Sequence, residues 1–328
     1  MQAIKPRLTK HHMFIICILT IFAGGVEGQT FSSSNGLPPE PNVVVDQQYL
    51  PQNVRTPVLP RSLDFAGEKI PLENFDTRES LERELMVNMF WHSQTIFIIK
   101  QTSRFFPTIE AILKKNNIPD DFKYLCAAES GLQQVVSPAK AVGFWQLMPA
   151  TAKELGLEVN DEVDERYHIE KSTWAACRYL QRSYDLFGSW TLAAAAYNMG
   201  EKGLTQQIAR QKAISYHDLR LNDETARYLF RILAFKLIIS NPQQYGFYIP
   251  LTEMYPPYRY REVAVSTSVA SWADFAIQYN TNYKILKILN TWLRDAALTN
   301  KNKRTYYIKV PEAGFRENAY SSRQTKHR

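Results

Sequence analysis

Residues 128–149 read AESGLQQVVSPAKAVGFWQLMP, and they join the end of an apolar helix to a loop rich in amide and aromatic side chains. The spacing of Phe122 and Leu125 predicts the helix, and Gly131 predicts its end. Glu129 therefore lies in the last helical turn, where the helix dipole mildly opposes a carboxylate. This position favours a raised affinity of the carboxylate for a proton.

Glu129 is followed by no other acidic residue until Glu154. Most glycosidases use two carboxylates about 5–9.5 Å apart, one as the acid and one as the nucleophile or base. A lone glutamate among apolar residues can still act as a general acid, because desolvation raises its pKa and it keeps its proton at neutral pH. Such an enzyme must take its nucleophile from the substrate. The alternative interpretation is that Glu129 is a surface charge at a helix end.

The loop after Glu129 carries side chains that suit sugars. Residues 143–149 contain a glycine, an amide and two neighbouring aromatic rings. Aromatic rings cover the apolar face of a sugar, while an amide forms directional hydrogen bonds with its hydroxyl groups. Packing inside a protein core is an equally good explanation of this pattern alone.

The remaining sequence predicts one large helical part and one small mixed part. The chain has 328 residues, of which 45% are hydrophobic and 22% charged, and this composition excludes a disordered chain and a multi-span membrane protein. From Thr77 to about residue 245 the apolar residues recur at helical spacing. Beyond that, a β-branched run at 263–269, two helical patterns and an aromatic strand at Tyr306–Pro311 predict a small α+β unit.

The two ends of the chain are predicted to lie outside these folded parts. Residues 1–28 place basic residues before a short apolar run and then small residues, which is typical of a secretory signal peptide cleaved near Gly28. The apolar run is shorter than the roughly 20 residues that span a bilayer, so an uncleaved anchor is the alternative and the only predicted membrane association. Residues 29–66 are predicted to be an extended linker, and residues 313–328 a disordered basic tail.

Four segments resemble, in order, the motifs of the soluble lytic transglycosylase (SLT) domain, glycoside hydrolase family 23. They are ESGL at 129–132, SPAKAVGFWQLMP at 137–149, AAYNMG at 195–200 and ETARYL at 224–229. The likeness covers about residues 65–245, and its upstream part resembles the membrane-bound D type of these enzymes. It implies a mainly α fold whose lysozyme-like catalytic domain, with a helical lead-in, spans residues 67–250.

The resemblance also implies a substrate and a reaction. Glu129 is expected to protonate the glycosidic oxygen between N-acetylmuramic acid and N-acetylglucosamine in peptidoglycan. It is then expected to take a proton from the muramoyl C6 hydroxyl, which attacks the same carbon and gives a 1,6-anhydro sugar. One residue can serve as acid and then as base when its pKa lies near the working pH. These expectations place the protein in the periplasm or cell envelope.

The other motif residues are expected to contact the substrate. They are Ser137, Gln146, Met148, Tyr197, Asn198, Glu224 and Tyr228. Core packing remains an alternative for Met148 and Tyr197, and helix capping for Glu224. At the level of the whole protein, the alternatives are a muramidase that hydrolyses the same bond and a catalytically silent peptidoglycan-binding protein.

Residues 261–312 resemble a degenerate LysM module, a strand–helix–helix–strand fold that binds glycans containing N-acetylglucosamine. Phe275, Leu286 and Asn290 fall at suitable intervals, whereas STSVASW replaces the glycine-rich turn that normally precedes the first helix. Glycan binding by this module therefore stays open.

No cofactor, metal or nucleic acid is expected. The histidines are scattered without the spacing of metal ligands, and neither a glycine-rich phosphate loop nor a nucleic-acid motif is present. Cys126 and Cys177 fall on apolar helix faces, which favours buried free thiols over a disulfide bridge.

Overall fold

The computed structural model describes residues 55–317. The predicted signal peptide (1–28), most of the predicted linker and the end of the predicted basic tail lie outside these residues. Across residues 55–317, every helix is too short or too polar to cross a membrane.

The fold is mainly α, as predicted. Within the described range, the helices are α1 (Phe75–Phe90), α2 (His92–Lys115), α3 (Phe122–Ser130), α4 (Pro149–Glu154), α5 (Ile169–Phe187), α6 (Trp190–Met199), α7 (Glu201–Gln211), α8 (Asp223–Ser240), α9 (Trp272–Gln278) and α10 (Tyr283–Leu289). The strands are β1 (Asp64–Phe65), β2 (Glu68–Lys69), β3 (Tyr260–Val265) and β4 (Tyr306–Pro311). We call residues 55–257 the helical part and residues 258–317 the C-terminal module.

The core of the helical part forms where α3, α5, α6 and α8 pack together. Helix α3 contacts α2 and α8, and α6 contacts α5, α7 and α8. The four consecutive alanines 193–196 of α6 are completely buried. Because an alanine side chain is a single methyl group, the neighbouring helices approach α6 closely. This packing brings the ends of α3, α6 and α8 to one region of the molecule.

Local signals explain several of the helix ends. Gly131 ends α3 in a left-handed conformation with φ of 60°, and Ser189 caps α6 by accepting a hydrogen bond from the Leu192 N–H at 3.3 Å. Ser172 does not cap α5, because the helix begins three residues earlier, at Ile169. The Ser172 hydroxyl is buried inside the helix, where it donates to the Ile169 carbonyl.

The structure also corrects the end of the predicted linker. Leu63 and Phe65 are buried in the core, and β1 pairs with β2 in a short antiparallel hairpin. The Phe65 ring meets the Phe122 ring edge to face, with 5.2 Å between centroids. The Ala66 N–H donates to the Asp121 carboxylate at 2.7 Å. Residues 63–66 therefore belong to the folded part of the chain.

The C-terminal module has the strand–helix–helix–strand order that the sequence predicts. Strand β3 pairs antiparallel with β4, and α9 and α10 lie between them in the chain. The first strand lies three or four residues before the predicted run at 263–269, and Val269 forms only an isolated bridge with Leu298. Asn290 is fully buried, and its amide bonds the backbone of Leu286 and Lys309, which ties α10 to β4.

The helical part and the C-terminal module share a hydrophobic core. Val142, Val163 and Tyr167 of the helical part pack in one cluster with the buried residues of the module. Backbone hydrogen bonds cross the same boundary, because the Asp164 N–H donates to the Trp292 carbonyl at 2.9 Å. The residues that the structure describes thus form one compact unit.

Cys126 and Cys177 are both buried free thiols. Burial raises the pKa of Cys177 to about 12 and holds that of Cys126 well above its usual value. Neither thiol is therefore an ionised nucleophile near neutral pH.

Candidate active site

Glu129 lies in the last turn of α3 and faces Tyr228 of α8. The Tyr228 hydroxyl donates a hydrogen bond to Oε1 of Glu129, and the Tyr228 side chain is completely enclosed. Burial raises the pKa of Glu129 to about 7, while the hydrogen bond from Tyr228 and the charge of Arg231 act in the opposite direction. A pKa near neutrality suits a group that first gives and then takes a proton.

The loop after α3 is bent tightly and fixed at both ends. Gly143 has φ of 79°, and a Cβ atom there would lie 2.3 Å from the carbonyl oxygen of Arg166, so only glycine fits. The Arg166 guanidinium donates to the carbonyls of Lys140 and Leu147 and forms a buried ion pair with Asp164 at 2.7 Å. The loop conformation is therefore held by groups outside the predicted motifs.

Gln146 is positioned by this loop. Its φ of 47° lies in the left-handed region, an uncommon and strained state for a residue with a side chain. Its Nε2 donates to the carbonyls of Gly143 at 2.8 Å and Val135 at 3.1 Å. Because the amide nitrogen is engaged in this way, the amide oxygen is the group left for a ligand.

Tyr197 of α6 connects the loop to the acid. Its hydroxyl donates to the Trp145 carbonyl at 2.7 Å, directly before Gln146 in the chain. Burial, and then the negative charge of Glu129, hold the pKa of the Tyr197 phenol well above its usual value. Tyr197 therefore lies within electrostatic range of Glu129 and supports the peptide that carries Gln146.

Asn198 joins the end of α6 to the start of α8. Its Oδ1 accepts a hydrogen bond from the Thr225 hydroxyl at 2.7 Å, and Thr225 precedes Tyr228 by one helical turn. These contacts bring four of the predicted site residues into the same part of the molecule: Glu129, Tyr197, Asn198 and Tyr228.

The other three predicted residues are less closely tied to Glu129. The Ser137 hydroxyl accepts the Ala141 N–H at 3.0 Å and stabilises its own turn. Met148 is 42% exposed and immediately precedes α4. Glu224 is exposed and paired with Arg231 at 2.9 Å, and it contributes to the Glu129 site through its charge.

A cavity of about 340 Å³ beside Glu129 contains residues that sequence reasoning missed. Glu84 of α1 lines it and is almost completely enclosed, with its carboxylate 2.6 Å from Nε of Arg227 and 3.9 Å from Nε of Arg231. The sequence feature that could have indicated Glu84 is its position, as a charged residue, within the apolar stripe of α1 next to Leu85. The Glu84 carboxylate, the second one at this site, is thus paired with the guanidinium groups of Arg227 and Arg231 and is not free to act as a base.

Among residues 55–317, no cluster of three or more His, Cys, Asp or Glu side chains is arranged to hold a metal ion.

Comparison with known proteins gives matches for both parts of the chain. Residues 106–219 match the Transglycosylase SLT domain, and residues 261–314 match the soluble lytic transglycosylase C-terminal LysM-like domain. These matches confirm the two resemblances that the motifs predicted. Tyr228 lies beyond the first match, so its assignment rests on its contact with Glu129.

Among curated proteins, the chain is similar to membrane-bound lytic murein transglycosylase D of Escherichia coli strain K12. The two are 28% identical over 257 residues, which cover 76% of this chain and 55% of the relative. A putative tributyltin chloride resistance protein of Alteromonas sp. strain M-1 is 31% identical over 102 residues, or 30% of this chain and 49% of that protein. The chain thus spans about half the length of the curated relatives it matches.

Proposed function

We propose that this chain, which carries a transglycosylase SLT domain and a LysM-like domain, is a lytic transglycosylase of peptidoglycan. Its substrate is the β-1,4 bond between N-acetylmuramic acid and N-acetylglucosamine, so the protein acts in the periplasm or cell envelope. The observation that carries the proposal is the half-buried Glu129 carboxyl, with a pKa of about 7 and a hydrogen bond from Tyr228.

In the first step, protonated Glu129 donates its proton to the glycosidic oxygen. The bond from the anomeric carbon of the muramoyl unit to that oxygen breaks, and N-acetylglucosamine leaves with a hydroxyl group. The substrate's own N-acetyl group assists at the anomeric carbon. Gln146 and Asn198 orient the sugar through hydrogen bonds, while Tyr197 forms part of the wall.

In the second step, ionised Glu129 takes the proton from the muramoyl C6 hydroxyl as that oxygen bonds to the anomeric carbon. The glutamic acid is regenerated, water is not consumed, and the product is a 1,6-anhydro sugar. Tyr228 holds the carboxylate in place through both steps, because its hydrogen bond favours the ionised form that the second step requires.

The surroundings of Glu84 support an intramolecular nucleophile. A two-carboxylate glycosidase needs a second carboxylate that is free to attack the sugar or to activate water. Glu84 lines the same cavity as Glu129, but its carboxylate is paired with Arg227 and Arg231. The geometry therefore favours Glu129 as the single acid and base.

Digestion of purified sacculi tests the proposal. The protein is expected to release muropeptides that are one water lighter in mass than the products of a hydrolase, and Glu129→Gln is expected to release none. Release of the heavier, hydrolysed products would identify a muramidase instead. If the protein binds sacculi, releases nothing soluble and behaves like Glu129→Gln, it is a catalytically silent binding protein.

A further inference from the structure

A second cavity, which we call the junction cavity, lies between the helical part and the C-terminal module. Its volume is about 330 Å³, within the range of about 300–1,000 Å³ for small-molecule sites. Phe105 and Phe144 of the helical part line one side, with their ring centroids 4.7 Å apart. Tyr260 and Trp292 of the module line the other side.

The junction cavity contains buried polar atoms that no group of the described chain satisfies. Oε1 of Gln101 and Nε1 of Trp292 lack hydrogen-bond partners, although these two residues are only 8% and 3% exposed. A buried polar group without a partner costs stability, and such groups are rare in native proteins. They are therefore hydrogen-bonding groups available to a molecule in the cavity.

Gln134 supplies a third unsatisfied atom, and its orientation is fixed by its neighbours. Its Nε2 donates to the Tyr167 carbonyl at 2.7 Å and to the Thr291 hydroxyl at 3.1 Å. A backbone carbonyl only accepts hydrogen bonds, so the nitrogen must face it. The amide oxygen, which is buried and without a partner, is consequently a true acceptor.

The charges that line the junction cavity are already compensated. Lys309 donates to Oε1 of Glu170, and Nδ1 of His168 lies 3.0 Å from Oε2 of the same carboxylate. The ion pair between Glu170 and Lys309 carries no net charge. Because these charges compensate one another, the lining favours a neutral polar occupant over one that brings its own carboxylate or ammonium group, such as a stem peptide.

We propose that the junction cavity is a second saccharide site, which binds one N-acetylhexosamine unit. The indole N–H of Trp292 donates to a sugar oxygen, and the amide oxygens of Gln101 and Gln134 accept from hydroxyl or acetamido N–H groups. The aromatic rings cover the apolar face of the sugar. The proposal rests on the proposed function only for the source of this sugar, which is the glycan strand.

The junction cavity also reaches the loop that carries the candidate active site. Gln134 and Phe144 line the cavity and belong to the same stretch, residues 128–149, as Glu129 and Gln146. A sugar held there contacts the back of this loop. The site is thus placed to hold a strand against this loop without taking part in the chemistry.

Fluorine NMR on protein labelled with 5-fluorotryptophan tests this site directly. Glu129→Gln serves as the background so that nothing is cleaved, and loss of one signal in Trp292→Phe assigns the Trp292 resonance. Tri-N-acetylchitotriose is expected to shift this resonance saturably. Gln101→Met is expected to weaken the binding measured at Trp292 about tenfold, and Trp174→Phe, at an exposed tryptophan outside the cavity lining, to leave it unchanged.

Thermal unfolding shows whether a polar side chain of the junction cavity serves to bind a ligand or to stabilise the fold. Gln101→Met removes a buried polar group that lacks a partner and keeps the volume of the side chain, so the Tm of the free protein is expected to stay the same or rise. An unchanged Trp292 resonance at saturating trisaccharide, or a lower Tm with unweakened binding, overturns the proposal and leaves a water-filled cavity. A saturable shift in a protein that does not cleave sacculi upholds this site while refuting the proposed function.

Discussion

Two opposing effects act on the Glu129 carboxyl. Burial favours the protonated form, and the hydrogen bond from Tyr228 together with the charge of Arg231 favours the ionised form. The balance leaves a pKa of about 7, against 4.5 for an ordinary glutamate. Either effect alone would give a carboxyl that is well suited to only one of the two proposed proton transfers.

The raised pKa of Glu129 predicts a cost in stability that develops above about pH 4.5 and is complete above about pH 7. Between the unfolded pKa of 4.5 and the folded pKa of about 7 the folded state binds more protons, so stability falls as the pH rises. Glu129→Gln lacks this loss and is expected to be about 1–3 kcal/mol more stable than the parent at pH 8, with no advantage at pH 4. Urea unfolding at the two pH values measures this, and a variant less stable than the parent at pH 8 contradicts it.

Tyr228→Phe is expected to change both the rate and its pH dependence. The variant loses a hydrogen bond to a charged group, so turnover of sacculi is expected to fall about 10- to 100-fold. Because that hydrogen bond lowers the pKa of Glu129, its loss raises the pKa, and the alkaline decline of kcat/KM moves to higher pH. If the variant is slower but the alkaline decline of its kcat/KM occurs at the same pH as in the parent, Tyr228 has only a packing role.

At the scale of single residues, the sequence predicts which residue is the acid, but it does not predict which side chains surround that acid. The position of Glu129 in the last turn of α3 follows from Gly131, and the structure adds the burial that sets the pKa. Glu84 could not be paired with Arg227 from sequence, because the two residues are 143 positions apart and meet only when α1 packs on α8.

Among the elements, the loop at 135–147 depends most on a single residue. Gly143→Ala combines a left-handed backbone with a Cβ atom 2.3 Å from the Arg166 carbonyl, so a cost of about 2–4 kcal/mol is expected, together with loss of sacculus cleavage. Gly188→Ala is the matched control, since its φ is 66° and nothing lies within 4 Å of the added Cβ. It is expected to cost about 1 kcal/mol and to keep activity. Equal effects of the two substitutions in chemical denaturation would contradict a steric role for Gly143.

The elements were predictable where a local signal sets their ends. Gly131 ends α3 as expected, and Ser189 sets the start of α6 in the same way, because a cap acts through its own few neighbours. Strand β3 was misplaced because its register depends on pairing with β4, which lies more than 40 residues later. The β-branched run that suggested the strand continues past the last paired residue, Val265.

On the scale of the whole molecule, the shared core predicts that the helical part and the C-terminal module unfold together. A single calorimetric transition is expected, with equal calorimetric and van't Hoff enthalpies. Leu293→Ala, at a fully buried residue whose backbone bridges to Val163, is expected to cost about 2–4 kcal/mol and to lower that one transition.

Leu186→Ala is the control for this test, because Leu186 is exposed on α5 and its truncation removes little buried surface. Two separate transitions, of which Leu293→Ala lowers only one, would show that the two parts are independent domains.

The packing between the two parts had no signal in the sequence. Val142, Val163 and Tyr167 lie outside any regular apolar pattern, and their burial depends on a surface supplied by the C-terminal module. Motif resemblance identified each part by itself, because each part has its own sequence motifs. The contact between the two parts involves residues far apart in the sequence, so only the three-dimensional structure shows it.

The pairing of Glu129 with Tyr228 has a consequence during synthesis. The two residues are 99 positions apart, so a ribosome has made the acid long before it makes the phenol that holds it. A nascent or truncated chain that ends before α8 carries a glutamate without its partner and without the burial that tunes it. The two proposed proton transfers therefore require a chain that extends at least through α8.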